Sequence, residues 1–124
     1  MNKLSLEGTD NTPNVVFDAD NGAFEISGVS IPEDSVSFYN PILDWIDEYV
    51  KKPNPKINLK CKIDYCNTAS SKQVFELISS FKQSIENGAE FLVTWEYDAS
   101  DDDMLFLGKS FSELINIPFE FLPY

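Results

Sequence analysis

The stretch INLKCKIDY (residues 57–65) alternates apolar and polar side chains. Its apolar positions are Ile57, Leu59, Cys61, Ile63 and Tyr65. Because successive side chains of a β-strand point to opposite faces, this pattern predicts a strand with one face in the core and the other in water. A central strand of this kind indicates that helices cover only one face of its sheet.

A helix is predicted on each side of this strand. On the carboxyl side, apolar residues repeat at helical spacing and stop at Asn87-Gly88, a pair that favours a helix end. These residues are Val74, Leu77, Ile78, Phe81 and Ile85. On the amino side, Asn40 and Pro41 have the residue types of an N-cap and a first helical residue. The apolar positions that follow them are Ile42, Leu43, Ile46, Tyr49 and Val50, and KKPNPK (51–56) ends this helix.

Three more strands and one more helix are predicted. The segment VVFDADNGAFEI (15–26) has two alternating arms around Asn21-Gly22 and predicts an opening β-hairpin. FLVTWEY (91–97) and FEFL (119–122) are predicted strands. The helix between them carries Met104, Leu107, Phe111 and Leu114. Since helices alternate with strands, the order predicts a single α/β domain over residues 1–124 with parallel or mixed pairing.

The charge and the residue types of the chain exclude several classes of function. The 124 residues include 21 acidic and 9 basic side chains, for a formal net charge of −12, and contain neither histidine nor arginine. We expect such a surface to repel nucleic acid and anionic membranes. Without histidine the chain cannot build a Ser/His/Asp or Cys/His arrangement, and it has no glycine-rich phosphate loop. We therefore predict a non-catalytic protein with no metal and no cofactor.

The N-terminal sequence indicates where the protein resides. MNKLSLEGTDNTPN (1–14) lacks the apolar core of a signal peptide, and no stretch is long and apolar enough to span a bilayer. We therefore expect a cytoplasmic protein.

Cys61 and Cys66 are an odd number of positions apart on one predicted strand, so they should point to opposite faces and remain free thiols.

The segment YDASDDDM (97–104) holds the one dense carboxylate group, formed by Asp98, Asp101, Asp102 and Asp103. Clustered hard oxygens suit magnesium or calcium, which gives one interpretation as a cation or partner-docking site. In the other, Ser100 caps the third helix and the acids favour the positive end of that helix. The second is favoured because the ligand spacing of an EF-hand is missing. An enzyme that uses only Asp101 to Asp103 is the weakest of the hypotheses.

The segment YCNTASSK (65–72) places hydroxyl-rich residues between an apolar strand and an apolar helix. Helix capping by Asn67, Thr68 and Ser70 explains them most simply, and Ser70 begins the S-x-x-Q spacing of a capping box. The functional alternative is that an exposed Thr68 hydroxyl accepts a phosphate, held by the free N–H groups of the helix N-terminus. Since the chain has no arginine, those N–H groups, Lys72 or a partner protein would have to balance that charge.

Several separated motifs resemble the SiaC-type family of bacterial regulatory phosphoproteins, which is related to the STAS, or anti-sigma-factor-antagonist, fold. In chain order they are Gly8-Thr9, Thr12-Pro13, GVSIPEDSVSFYNPILDWIDEY (28–49), YCNTASSK (65–72) and WEYDASDDDM (95–104). The resemblance covers essentially the whole chain. It implies a STAS-like mixed sheet of four to five strands, with the helices packed mainly on one face.

The resemblance also implies a partner-switching cycle centred on Thr68, the threonine of the family's NT-x-S motif. In that cycle a serine/threonine protein kinase adds the phosphate and a PP2C-type phosphatase removes it. The unmodified form binds an effector protein, in one branch a diguanylate cyclase. Ala69 stands where a hydroxyl residue is common, which keeps Ser70 as the alternative acceptor. The partner-binding residues are then Asn67, Thr68, Ala69, Ser70, Ser71 and Lys72.

A binding domain for a small ligand or nucleotide, without phosphorylation, is the alternative from another class. Its pocket would be lined by Phe38, Tyr39, Trp45, Trp95 and Tyr97. These aromatic residues fall on predicted core positions of helices and strands, so ordinary core packing is the favoured interpretation.

Overall fold

The computed structural model describes all residues from 1 to 124, as one six-stranded mixed sheet and three α-helices. The strands are β1 (Leu4–Leu6), β2 (Asn14–Asp18), β3 (Ala23–Ser30), β4 (Lys56–Cys66), β5 (Glu90–Tyr97) and β6 (Phe119–Pro123). The helices are α1 (Ser35–Tyr49), α2 (Thr68–Lys82) and α3 (Asp102–Ile115), and a short 3-10 helix (Gln83–Asn87) extends α2. None of the helices has the length and apolarity that a membrane span requires.

The strands lie in the sheet in the order in which they occur in the chain. β1, β2 and β3 pair antiparallel, whereas β3, β4, β5 and β6 pair parallel. Each parallel pair is joined by a helix, and every crossover moves one strand in the same direction. Because crossovers are right-handed, α1, α2 and α3 then lie on the same face of the sheet. The predicted α/β class is confirmed, with one strand more than expected.

The additional strand is β1, which pairs with β2 at the edge of the sheet. It has only 3 residues, too few for its alternation to stand out in the sequence. The hairpin beside it is as predicted, since Phe17 pairs with Phe24 and the turn contains Gly22 at a φ of +66°. The left-handed conformation of Gly22 explains why glycine follows Asn21 there.

Strand β4 is central and has one buried face, as its alternation predicts. Its buried side chains, at most 2% exposed, are Ile57, Leu59, Cys61 and Ile63. They belong to one core cluster of 25 buried residues that also takes side chains from all three helices. The opposite face of β4, which includes Lys60, is exposed to water.

The predicted start of α1 at Asn40 and Pro41 is wrong, because the helix begins at Ser35 and Pro41 lies inside it. Its N-cap is Asp34, whose carboxylate accepts hydrogen bonds from the Ser37 N–H (3.1 Å) and hydroxyl (2.8 Å). The Ser37 N–H bond is also the main cause that lowers the pKa of Asp34. A proline inside a helix removes one backbone hydrogen bond. The burial of Tyr39, one turn before Ile42, holds this first part of the helix against the sheet despite that loss.

A β-bulge interrupts β4 near its carboxyl end. Gly28 of β3 pairs with Ile63, but the next residue, Val29, pairs with Tyr65, so Asp64 is the extra residue. Gly28 has a φ of +99°, which a side chain would oppose. The bulge reverses the alternation, so Tyr65 is 58% exposed instead of joining the predicted core set.

The bulge also returns Cys66 to the helix-covered face. Cys66 pairs with Ser30, whose buried hydroxyl is hydrogen-bonded to Tyr39 of α1 at 2.7 Å. The prediction that Cys61 and Cys66 point to opposite faces is therefore wrong. Both are free thiols, as expected. Burial raises the pKa of each thiol above its usual value, which disfavours the nucleophilic thiolate form.

Helix α3 lies close to the sheet because Gly108 faces Trp95. A Cβ at position 108 would come within 2.5 Å of the indole Nε1, which donates a hydrogen bond to the Met104 carbonyl at 3.1 Å. Met104 and Phe111 are buried as predicted. Leu114 is not a core residue, since it is 73% exposed.

Candidate partner-binding site at the start of helix α2

The site lies where the carboxyl ends of the parallel strands meet. β3 ends at Ser30, β4 at Cys66 and β5 at Tyr97, and α2 and α3 begin after the last two. The Asn67 N–H donates to the Ser30 carbonyl at 3.3 Å, which ties the start of α2 to the end of β3. The edges of parallel sheets at which strands end are the usual position of binding sites in such folds.

Asn67 alone caps α2. Its side-chain oxygen accepts a hydrogen bond from the Ser70 N–H at 2.9 Å, and its backbone oxygen accepts one from the Ser71 N–H at 2.9 Å. The predicted capping roles of Thr68 and Ser70 are wrong, because Thr68 is the first helical residue and Ser70 lies inside the first turn. Capping therefore accounts for Asn67 and leaves the two hydroxyls without a structural role.

Those two hydroxyls lie in opposite environments. Thr68 is exposed, and its side chain is bonded to no other group of the protein, although its carbonyl accepts the Ser71 hydroxyl at 2.8 Å. Ser70 is fully buried, and its hydroxyl also has no partner. A kinase could reach Thr68 directly, whereas modification of Ser70 would require the first turn of α2 to open.

The predicted partner-binding segment is largely accessible. Thr68, Ala69 and Lys72 are exposed, and Asn67 and Ser71 are partly exposed. The first N–H groups of α2 have no partner within the helix and carry the positive end of its dipole. Such N–H groups are the main support that the chain can offer an anion here.

An open depression of about 330 Å³ separates the start of α2 from the start of α3. Thr68 and Ser71 line one wall, and Asp101 and Asp103 line the other. No lysine lines this depression. A phosphate on Thr68 would thus enter a space that already contains two carboxylates, which oppose it by like-charge repulsion.

The sequence analysis considered the carboxylates after β5 as a partner-docking site, but it placed neither them nor Tyr65 beside Thr68. Besides the residues named above, the depression is lined by Tyr65, Cys66, Asn67, Met104 and Leu107. Tyr65 is present because of the bulge. Gly28 lies beyond the predicted hairpin (15–26) but inside β3, and a glycine in a strand is the signal that could have indicated the bulge. The proximity of Asp101 and Asp103 follows from the parallel pairing of β4 and β5, whose carboxyl ends meet.

The aspartates that follow β5 do not share one structural role. Asp101 is the N-cap of α3 and accepts a hydrogen bond from the Met104 N–H at 3.0 Å, so the prediction of Ser100 as the cap is wrong. Ser100 instead donates its hydroxyl to Asp98 at 2.7 Å, the main cause that lowers the pKa of Asp98. No three acidic side chains in the chain are grouped as metal ligands. Helix capping therefore explains this segment better than a cation site does.

The aromatic residues proposed for a ligand pocket pack in the core. Tyr39 and Trp95 are at most 1% exposed, and Phe38, Trp45 and Tyr97 pack against the core cluster. Trp45 stacks on Tyr49 with ring centroids 5.2 Å apart, and Trp95 contacts Phe111 edge to face at 5.8 Å. Core packing accounts for all five.

Comparison with protein families gives a match over almost the whole chain. The model of the SiaC family regulatory phosphoproteins matches residues 6–124, which include every element of the site. The chain belongs to this SiaC family.

Relatives of this SiaC-family chain have been found in Pseudomonas aeruginosa. An uncharacterized protein of strain UCBPP-PA14 is 25% identical over 119 residues, which cover 96% of this chain and 94% of that one. The crystal structure of apo-SiaC from the same species matches with a TM-score of 0.87 and 24% identity, over 98% of this chain and 99% of that chain. A chain of the crystal structure of the diguanylate cyclase SiaD in complex with its activator SiaC matches with a TM-score of 0.88 and 24% identity, over the same shares.

Proposed function

We propose that this protein is a non-catalytic switch whose binding state is set by reversible phosphorylation of Thr68. A serine/threonine protein kinase adds the phosphate and a PP2C-type phosphatase removes it. The unphosphorylated form binds and regulates an effector protein, for which a diguanylate cyclase is the leading candidate. The single observation that carries the proposal is the exposed, unbonded Thr68 hydroxyl at the start of α2, in a family of regulatory phosphoproteins.

The choice of Thr68 over Ser70 rests on accessibility. Ser70 is 0% exposed, so its hydroxyl cannot enter a kinase active site while α2 keeps its first turn. Thr68 precedes it by two positions and faces solvent beside an open depression. Ser70 would instead contribute to partner binding indirectly, by packing beneath the residues that make contact.

The choice of a diguanylate cyclase as effector rests on the relatives. The SiaC of Pseudomonas aeruginosa is described as the activator of the diguanylate cyclase SiaD, and its chain has the same fold as this one. The segment 67–72, which contains Thr68, lies at the same edge of the sheet as the depression between the starts of α2 and α3. One surface can therefore bind kinase, phosphatase and effector in turn. Partner switching requires such a shared surface, because binding of one protein must exclude the others.

The unmodified form is proposed as the binding form on electrostatic grounds. A phosphate adds about 1.5 to 2 negative charges at neutral pH. Near Thr68 the protein offers Lys72 as the nearest lysine along α2, and the facing wall carries Asp101 and Asp103. Burying a dianion beside two carboxylates under a partner is costly, because charges removed from water need matched counter-charges.

The experiment begins with the site of modification. The wild type and the variants Thr68→Ala, Ser70→Ala and Thr9→Ala are expressed in the source bacterium, and tandem mass spectrometry locates the phosphate. We expect one phosphate on Thr68 of the wild type, the same in the Ser70→Ala and Thr9→Ala proteins, and none in Thr68→Ala. A phosphate that persists in Thr68→Ala at another position would overturn the assignment.

The second part measures regulation. Affinity for the bacterium's own candidate cyclase, and cyclic-di-GMP production by that enzyme, are compared for the wild type, Thr68→Ala, Thr68→Glu and Thr68→Gln. Glutamine matches glutamate in size without its charge. We expect the wild type and Thr68→Ala to bind and regulate the cyclase, and Thr68→Glu to bind at least tenfold more weakly. Equal binding of Thr68→Glu and the wild type would contradict a phosphate-controlled switch.

A further inference from the structure

A pair of buried hydroxyl groups lies next to the start of α2 and outside the depression beside Thr68. Ser30 at the end of β3 and Tyr39 of α1 are both 0% exposed, and their side-chain oxygens are hydrogen-bonded at 2.7 Å. Burial raises the pKa of Tyr39 to about 12, so its hydroxyl keeps its proton at any physiological pH. Neither residue lines the depression.

Core packing alone does not explain this hydroxyl pair. Tyr39 belongs to a cluster of buried hydrophobic residues, in which a phenylalanine would pack as well. Replacing both partners of a buried hydrogen bond by apolar groups of the same shape is nearly neutral or stabilising. Apolar contacts are not directional, whereas a hydrogen bond has a defined length and angle. The bond therefore fixes α1 to one position at the end of β3.

Ser30 extends this connection to α2 through its backbone. Its carbonyl accepts a hydrogen bond from the Asn67 N–H at 3.3 Å. The Asn67 side chain then accepts one from the Ser70 N–H at 2.9 Å. A continuous series of hydrogen bonds thus runs from Tyr39 to the first turn of α2, which contains Thr68.

Tyr39 lies in the part of α1 that has reduced support from the rest of the helix. Pro41 has no N–H, so the Ser37 carbonyl four positions earlier receives no hydrogen bond from it. Residues 35–40 are therefore joined to the later turns by fewer backbone bonds. The bond between Tyr39 and Ser30 accordingly has a larger share in holding this section on the sheet.

We infer that Tyr39 is a positioning residue for the start of α2 and determines which hydroxyl there can be modified. Through Ser30 and Asn67 it keeps the first turn of α2 closed, with Thr68 in solvent and Ser70 covered. Without the bond between Tyr39 and Ser30, the turn opens more often and the Ser70 hydroxyl becomes accessible. The inference rests on the proposed function only in naming a kinase as the protein that distinguishes the two hydroxyls.

The size of the effect follows from the strength of one hydrogen bond. Loss of a bond of ordinary strength should raise the equilibrium constant for local opening of the turn about fivefold. The open form is the minor one, so every rate that requires it rises by the same factor.

Amide hydrogen exchange, followed by NMR, measures this opening. The wild type is compared with Tyr39→Phe, and Tyr49→Phe is the matched control. Tyr49 is also buried, but its hydroxyl bonds to Asn54 at the other end of α1. We expect the Ser70 N–H to exchange about fivefold faster in Tyr39→Phe and at the wild-type rate in Tyr49→Phe. Unchanged exchange of this N–H in Tyr39→Phe would overturn the inference.

A double variant separates positioning from a general loss of stability. Ser30→Ala combined with Tyr39→Phe leaves neither hydroxyl unpaired, so urea denaturation should give a stability close to that of the wild type. Exchange of the Ser70 N–H should nevertheless stay fast. If exchange slows again as stability recovers, or if the amides of Ile78 and Val93 accelerate as much as that of Ser70, the role is only structural and the inference fails.

Thiol labelling tests whether the opening uncovers the side chain at position 70. Ser70→Cys protein is treated with N-ethylmaleimide, and peptide mass spectrometry separates the label at position 70 from labels on Cys61 and Cys66. Thermal unfolding shows that each variant is folded. We expect labelling at position 70 to become about fivefold faster when Tyr39→Phe is added, and not when Tyr49→Phe is added. Equal rates in all three proteins would contradict the inference.

Neither measurement uses a kinase, so the outcomes distinguish this inference from the proposed function. Faster opening in Tyr39→Phe, in a protein that is never phosphorylated at Thr68, would overturn the proposed function alone. Phosphorylation at Thr68 together with unchanged exchange in Tyr39→Phe would overturn the role of Tyr39 alone.

Discussion

At the residue scale, Asn67 and Ser70 belong to one helical turn but make opposite contributions to stability. The Asn67 side chain satisfies a helix N–H that would otherwise lack a partner. The Ser70 hydroxyl is buried without any partner. Ser84 is the other buried hydroxyl of this kind, so an unpaired serine is not in itself a mark of the site.

We therefore expect Asn67→Ala and Ser70→Ala to change the free energy of unfolding by amounts that differ in sign or size. Loss of the N-cap should lower the free energy of unfolding by about 1 kcal/mol. Ser70→Ala removes an unsatisfied buried hydroxyl and should leave that free energy unchanged or raise it. Urea denaturation measures both, with exposed Thr68→Ala as the neutral control. A larger loss for Ser70→Ala than for Asn67→Ala would mean that Ser70 has a partner in solution.

At the element scale, α3 is placed by the contact between Gly108 and Trp95. The distance of 2.5 Å from a built Cβ to the indole leaves no room for a methyl group. The indole also bonds to the Met104 carbonyl of the same helix, so the ring cannot move away without losing that bond. The α3 wall of the depression beside Thr68 therefore depends on one glycine far from Thr68 in the sequence.

Gly108→Ala should destabilise the protein by about 1 to 3 kcal/mol, because overpacking a tight contact forces side chains or backbone to shift. The improved helix propensity of alanine offsets at most about 1 kcal/mol of this cost. Thermal unfolding and the fluorescence of Trp95, in a Trp45→Phe background, report the change. Ser110→Ala on the same helix is the control and should have little effect. An equal or higher melting temperature for Gly108→Ala would refute the close contact.

The elements also differ in how well their bounds follow from sequence. Four of the five predicted core positions of α2 are buried, but the fifth, Ile85, is 43% exposed, because α2 ends at Lys82 and a 3-10 helix continues to Asn87. The predicted stop at Gly88 is correct, since its φ of +92° is a left-handed conformation. α1 was predicted to start too late, because Pro41 has a residue type common at helix starts and yet lies inside the helix. The true start depends on Asp34 as cap and on the packing of Tyr39 against the sheet, and the second of these cannot be read from local sequence.

At the scale of the whole molecule, almost none of the acidic side chains forms an ion pair. With a formal charge of −12, the chain contains one ion pair, an exposed contact of 2.9 Å between Lys51 and Glu48. An exposed pair contributes little to stability. Self-repulsion among the remaining carboxylates should therefore oppose the compact state.

Salt should accordingly stabilise the protein. Raising the ionic strength from 0.01 M to 1 M shortens the screening length from about 30 Å to about 3 Å. We expect a gain on the order of 1 kcal/mol, which corresponds to a rise in melting temperature of about 4 °C for a domain of this size. Calorimetry in sodium chloride measures the shift. A melting temperature that falls with salt would mean that attraction, not repulsion, dominates the surface charges.

The sequence by itself determined the α/β class, the central strand and the hairpin, because these follow from periodicity and turn chemistry within a few residues. The absence of histidine and arginine likewise limited the chemistry without any structure. Only the tertiary structure decided that Thr68 is accessible and Ser70 is buried, since both hydroxyls look alike in the segment YCNTASSK. The bulge that exposes Tyr65 depends on contacts between residues far apart in the chain, and so does the position of Asp101, Asp103 and Leu107 beside Thr68.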